Sequence, residues 1–140
     1  AFELGRRRNS ADVKQKKSIC SSNEIFKLMQ SRIGDIKHEE FWAIYLNNKN
    51  IVIGEKQISS GGITHTVVDT KIIARHAISL LATGIIVCHN HPAENKNPSP
   101  EDIRLTKQIA QAMQLIDCRF LDHVIVSGND YYSFCDEGAL

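Results

Sequence analysis

Between Gly84 and Asp102 the chain changes character three times, and this stretch constrains the fold more than any other. Ile85-Ile86-Val87-Cys88 is short, apolar and β-branched behind a glycine, which predicts a buried strand. His89-Asn90-His91 continues it until Pro92, which cannot donate to a strand ladder and ends it. Side chains two apart on a strand share a face, so His89 and His91 converge while Cys88 and Asn90 look the other way. Ser99-Pro100-Glu101-Asp102 then reads as a helix start, with Ser99 as N-cap, Pro100 in the first helical position and acids in the first turn. Asp102 therefore sits at the mouth of a helix, able to reach back towards the strand end. Two imidazoles and one carboxylate, with a water as fourth ligand, are the donor set of an open catalytic zinc site.

Each of these residues also has a plainer role. Histidines at a strand end can be hydrogen-bonded surface groups, an acid in a first helical turn is favoured by the helix dipole, and a serine before a helix is an N-cap. The spacing is what joins them: His89, His91, Ser99 and Asp102 reproduce H-x-H-x(7)-S-x(2)-D, which resembles the motif of the JAMM (MPN-plus, Mov34-type) metalloproteases. Phe41 to Asn50, Cys88 to Pro92 and Leu121-Asp122-His123 narrow the likeness to the RadC branch, over essentially the whole chain. The letters His-Asn-His do not make an HNH nuclease, whose three residues are spread across a ββα-metal unit.

At 140 residues, 42% of them hydrophobic and 24% charged, the chain is long enough for one domain with a real core. No apolar run approaches membrane-spanning length and no signal-peptide pattern opens the sequence, so a cytoplasmic location without a membrane partner is expected. Cys20, Cys88, Cys118 and Cys135 form no C-x-x-C pair, so neither a cysteine zinc cluster nor a thioredoxin-like motif is supported. A net charge of +1 argues against a broad nucleic-acid surface. The charge is uneven, however: residues 1–17 hold six basic residues against two acidic, a net +4. A solvated linker is the plainer reading of this arm, and contact with DNA phosphates the sharper one. Phe2 to Arg8 resembles the segment that joins an upstream helix-hairpin-helix domain to the metal domain in the RadC family. The expected organisation is thus a basic arm over 1–20, the tail of a missing DNA-contacting domain, and a metal-binding domain over 21–140.

Along the chain, Ser21 with Glu24 offers a capping box ahead of Ile25, Leu28 and Met29, predicting a helix that ends near Gly34. Phe41 to Leu46, the turn cluster at 47–50 and Ile51 to Ser59 predict a β-hairpin. Gly61-Gly62 marks a break before a short strand over Thr64 to Val68. Asp69 can cap a helix with Ile72, Ile73, Ile78, Leu80 and Leu81 as its apolar residues and Gly84 just past its end. His76 on that helix is expected to be an ordinary, partly exposed histidine. The helix from Pro100 is given Ile103, Ile109, Ala110, Met113 and Leu115 as its apolar face, and Phe120 to Val126 with Tyr131 to Phe134 makes a last strand pair around 127–130. Helices alternating with strands suggest a mixed α/β sheet covered by helices. The family resemblance adds that this is a three-layer α/β/α, cytidine-deaminase-like fold.

The resemblance also implies one zinc ion and a glutamate at the start of an upstream strand to take the proton of its water. Glu39, Glu40 and Glu55 are the candidates. Neighbours on a strand face opposite ways, so only one of Glu39 and Glu40 can look at the metal. The RadC-like pattern places the glutamate two residues before the strand phenylalanine, here Phe41, which selects Glu39 with Glu40 as the near alternative. Glu55, mid-strand, reads as a solvent-facing carboxylate. The implied activity is zinc-dependent hydrolysis of an amide or isopeptide bond in a protein or peptide, with His89, His91 and Asp102 holding zinc, Glu39 as base and Ser99 helping to stabilise the oxyanion. The alternative is a DNA-repair-associated accessory or scaffold protein whose metal is structural. Asp122 and His123, at the start of a later strand, are left as supports outside the metal's own ligands.

Overall fold

The computed structural model describes residues 18–60, 68–93 and 95–140, so the arm at 1–17, residues 64–67 of the expected short strand, and Glu94 lie outside the described residues. Among the described residues eight elements follow in order: α1 (Ser22–Ile33), β1 (Glu40–Leu46), β2 (Val52–Ser60), α2 (Thr70–Ser79), β3 (Gly84–Asn90), α3 (Pro100–Leu115), β4 (Arg119–Ser127) and β5 (Asp130–Ser133). The strands form one mixed sheet in the order β2-β1-β3-β4-β5. Only the central β3/β4 pair is parallel, and α3 makes its crossover.

Strand alternation sorts the side chains into two cores. Ile44 and Leu46 of β1, Ile86 and Cys88 of β3, and Val124 and Val126 of β4 pack on Ile25, Phe26, Met29 and Ile33 of α1. On the opposite face Phe41, Ala43, Tyr45, Ile85 and Val87 pack on Ile73 and Ala77 of α2 and Ile109 and Met113 of α3. The result is three layers, one helix below the sheet and two above, as expected of this fold. The β1–β3 register pairs Phe41 with His89, so the histidine strand lies against the strand that Glu39 leads into.

A β-bulge interrupts the parallel pair: Ile85 lies opposite Phe120 but Ile86 opposite Asp122, leaving Leu121 as the extra residue. Phe120 packs on the two-helix side and Leu121 on the α1 side. Past the bulge the alternation is reset, and His123, three residues after Phe120, again faces the two helices.

Local chemistry explains most boundaries. Ser21 Oγ accepts from Glu24 N at 3.4 Å, while the Glu24 carboxylate takes the Cys20 amide at 3.1 Å, capping α1 much as its sequence suggests. The β1–β2 turn is held by Asn47 Oδ1, which accepts from the amides of Lys49 and Ile51. Asp69 caps α2 by accepting from Lys71 N at 2.9 Å, and Val68 before it is in no strand.

Two helix faces differ from expectation. In α2 the buried residues are Ile73 and Ala77, with Ile72, Ile78 and Leu81 exposed; in α3 they are Thr106, Ile109 and Met113, with Ile103 and Leu115 exposed. Two helices sharing one sheet face each bury a narrow stripe, i, i+4 in α2 and i, i+3, i+7 in α3, so several apolar residues beside it remain in water. The α2 helix also stops at Ser79, after which Leu81 takes a positive φ of 52°, so Gly84 opens β3 instead of capping the helix. His76 is half-buried, with its ring 6.3 Å from that of Tyr45.

Candidate metal centre

β3 ends at Asn90, yet His91 N still donates to Val126 O at 2.8 Å, so the extended backbone persists through both histidines. His89 and His91 therefore share the two-helix face. The start of α3 supplies the third group. Ser99 Oγ accepts from Asp102 N at 3.1 Å, and Asp102 Oδ2 accepts from Ser99 N at 2.9 Å, a reciprocal capping box in which the aspartate takes the glutamate's usual place. That lock turns the Asp102 carboxylate back over the strand end. Its Oδ1 lies 3.3 Å from His89 Nε2, its Oδ2 3.1 Å from His91 Nε2, and the two Nε2 atoms are 3.0 Å apart.

Three donor atoms within this distance of one another form a candidate site for one metal ion. The protonation pattern also suits one. His91 Nδ1 lies 2.7 Å from Asn95 O, and a carbonyl only accepts, so Nδ1 carries the proton and Nε2 keeps its lone pair facing inward. Two neutral imidazoles and a carboxylate are a zinc-type donor set. Burial alone would raise the Asp102 pKa, but the His89 and His91 rings against its oxygens and the hydrogen bond from the Ser99 amide outweigh it and hold the carboxyl well below the ordinary carboxylate range. Burial likewise works to lower His91, and is outweighed by Asp102, the Asn95 carbonyl and the negative charge of Glu39, which together raise it.

The site opens on a cleft of about 1070 Å³ lined by Glu39, His91, Asn97, Ser99 and Asp102 among others. His89, 4% exposed, does not line the cleft and lies behind His91 and Asp102. Of the three glutamates weighed from the sequence, only Glu39 lines this cleft. Glu40 points to the other face, with its carboxylate on Trp42 Nε1 at 3.0 Å and His38 Nε2 at 2.8 Å. Glu55 pairs with Arg32 at 2.6 Å. Ser99 Oγ spends a lone pair as the helix cap, which leaves its hydroxyl proton available.

A family profile described as the RadC-like JAB domain matches residues 19–139. The chain belongs to that family. Relatives of this RadC-like JAB domain include UPF0758 proteins from Flavobacterium johnsoniae, 46% identical over 99% of the chain, from Streptococcus sanguinis, 38% identical over 97%, and from Porphyromonas gingivalis, 37% identical over 100%. The chain covers 60%, 60% and 62% of their respective lengths.

Around the donor set of this JAB domain stand residues that the motif does not name. Asn90, facing away from the site, accepts from Glu40 N at 2.8 Å and donates to His38 O at 2.9 Å, so it grips the backbone on both sides of Glu39. His123, fully buried, places Nε2 2.7 Å from His89 Nδ1 and Nδ1 2.7 Å from Thr106 Oγ1. Burial pushes the His123 pKa well below that of a free imidazole. Asp122 parts company with its neighbour: it accepts from Ser133 Oγ, Cys135 N and His123 N, and so ties down the end of the β4–β5 hairpin. The sequence signal for Asn90 was its place between the histidines. Thr106 carried none beyond lying one helical turn after Asp102.

Proposed function

We propose that this domain is a zinc-dependent hydrolase of the JAMM metalloprotease type, cleaving an amide or isopeptide bond in a protein or peptide. The observation that carries the reading is the convergence of His89 Nε2, His91 Nε2 and an Asp102 oxygen beside an open cleft that Glu39 and Ser99 also line. His89, His91 and Asp102 would hold the ion, which when bound polarises a carbonyl and brings the pKa of water towards neutrality. Glu39 accepts the proton released as water adds to the carbonyl carbon, and returns it to the leaving nitrogen as the C–N bond breaks. The Ser99 hydroxyl donates towards the developing oxyanion while its lone pair stays on the Asp102 amide. Asn90 keeps the Glu39 backbone in register with the histidine strand.

The test is a zinc-loaded sample assayed against peptide and isopeptide libraries beside Glu39→Gln. Zinc content should be equal in the two, with turnover lower by about 10²–10⁴-fold in the variant. Equal and negligible turnover in both would refute a hydrolase and leave a metal-binding scaffold.

A further inference from the structure

We infer that Thr106 and His123 are positioning residues that hold His89 in the one tautomer able to bind a metal, through a chain of directed hydrogen bonds that begins at the backbone of Asp102. The inference rests on the zinc reading, which supplies the cation that lone pairs on His89, His91 and Asp102 need between them, while the contacts of Thr106 set the proton on His123.

Thr106 Oγ1 lies 2.6 Å from Asp102 O, one helical turn back. Two oxygens that close repel unless a proton lies between them, and the carbonyl has none to give, so the threonine hydroxyl donates. Its single proton is then spent. The 2.7 Å contact with His123 Nδ1 must use Oγ1 as acceptor, which puts the His123 proton on Nδ1. His123 has no exposed surface, an imidazole on one side and a hydroxyl on the other, and Phe41 and Phe134 rings 5.7 and 4.8 Å away, so it is neutral. Its Nε2 therefore accepts, and His89 Nδ1, 2.7 Å off, must donate. What remains on His89 Nε2 is a lone pair, aimed at His91 Nε2 and the Asp102 carboxylate.

Asp102 thus acts twice: its carboxylate is one of the three donors, and its backbone carbonyl fixes the proton on another. The loop closes through three side chains from α3, β4 and β3. It reaches the site only because the bulge at Leu121 turns His123 towards the helices.

The test is zinc affinity by chelator competition in wild type, Thr106→Val and Thr106→Ser, with the protonation of the His123 nitrogens read by long-range ¹H–¹⁵N NMR. Valine keeps the shape and removes the acceptor, freeing His123 to move its proton to Nε2 and drive the His89 proton onto the metal-facing nitrogen. We expect Thr106→Val to bind zinc about 10–100-fold more weakly, as when an outer partner of a ligating histidine is lost, and Thr106→Ser to bind as wild type. A role confined to helix packing would lower unfolding temperature without this split in affinity. Wild-type affinity in Thr106→Val, or a wild-type His123 protonated on Nε2, would overturn the relay; should Thr106→Val fail to fold, the NMR reading on wild type decides. If wild type binds no zinc the hydrolase reading fails instead, and the His123 tautomer of the metal-free protein still settles the relay.

Discussion

Asp102 carries two loads that substitution can separate. Its Oδ2 takes the Ser99 amide as part of the α3 cap, and both oxygens face the histidine nitrogens. Asp102→Ala removes both functions. Asp102→Asn can keep its carbonyl on the Ser99 amide, which turns the Nδ2 group towards His89 Nε2, 3.3 Å from the present Oδ1, where it can donate. The cap is worth about 0.5–2 kcal/mol, so metal-free Asp102→Ala should be less stable than metal-free Asp102→Asn by that amount. For a domain of this size that is a few degrees, about 2–8 °C, in unfolding temperature. Zinc affinity should not separate the two: both variants lose a ligand, and each should fall by more than the about 100-fold that marks the upper range for losing an outer partner. Calorimetry without metal and chelator competition with it read the two quantities independently. Zinc binding by Asp102→Asn within about ten-fold of wild type, 1.4 kcal/mol, would mean the carboxylate is not a ligand. Equal unfolding temperatures for the two variants would mean that the cap contributes nothing.

Asn90→Ala removes two hydrogen bonds that bracket Glu39; zinc content should hold while turnover falls, and urea denaturation should show a loss of about 1–3 kcal/mol. Because His123 is held below its free pKa, the folded state refuses a proton that the unfolded chain accepts. Its contribution to stability is thus complete above about pH 6.5 and is lost at up to about 1.4 kcal/mol per pH unit as pH falls below that. Unfolding free energies of metal-free protein across that range should show a slope that His123→Gln lacks, and identical slopes would contradict the assignment. Ile109→Ala, at a site with no exposed surface between α3 and the sheet, should cost about 2–5 kcal/mol by the same denaturation assay, against less than about 0.5 kcal/mol for exposed Leu115→Ala.

Much of the centre could be read from spacing because its parts are local: a strand end, a loop, a helix cap. Strand parity allowed only one of Glu39 and Glu40 to face the site and the family pattern selected Glu39, while the Trp42 and His38 contacts of Glu40 lie on the other face. What escaped the sequence was relational. Ile103 and Leu115 are as apolar as Ile109 and Met113, and only the pairing of two helices over one sheet face decides which are buried. Asp122 and His123 are adjacent letters with the same apparent promise, yet one serves the hairpin and the other touches a candidate ligand. Thr106 became visible only once β4 lay beneath α3.

Leu121 gives the domain an unusual fragility. Were Leu121 drawn into a regular ladder with β3, β4 could still form, still alternate and still bury apolar groups on both sides, with nothing in its composition to betray the change. Yet every side chain beyond that point would swap sides, sending His123 to the α1 layer and stranding His89 without its neighbour. The single-residue offset in one ladder is in this sense the hinge pin of the chemistry, though it carries no polar atom of its own beyond the backbone.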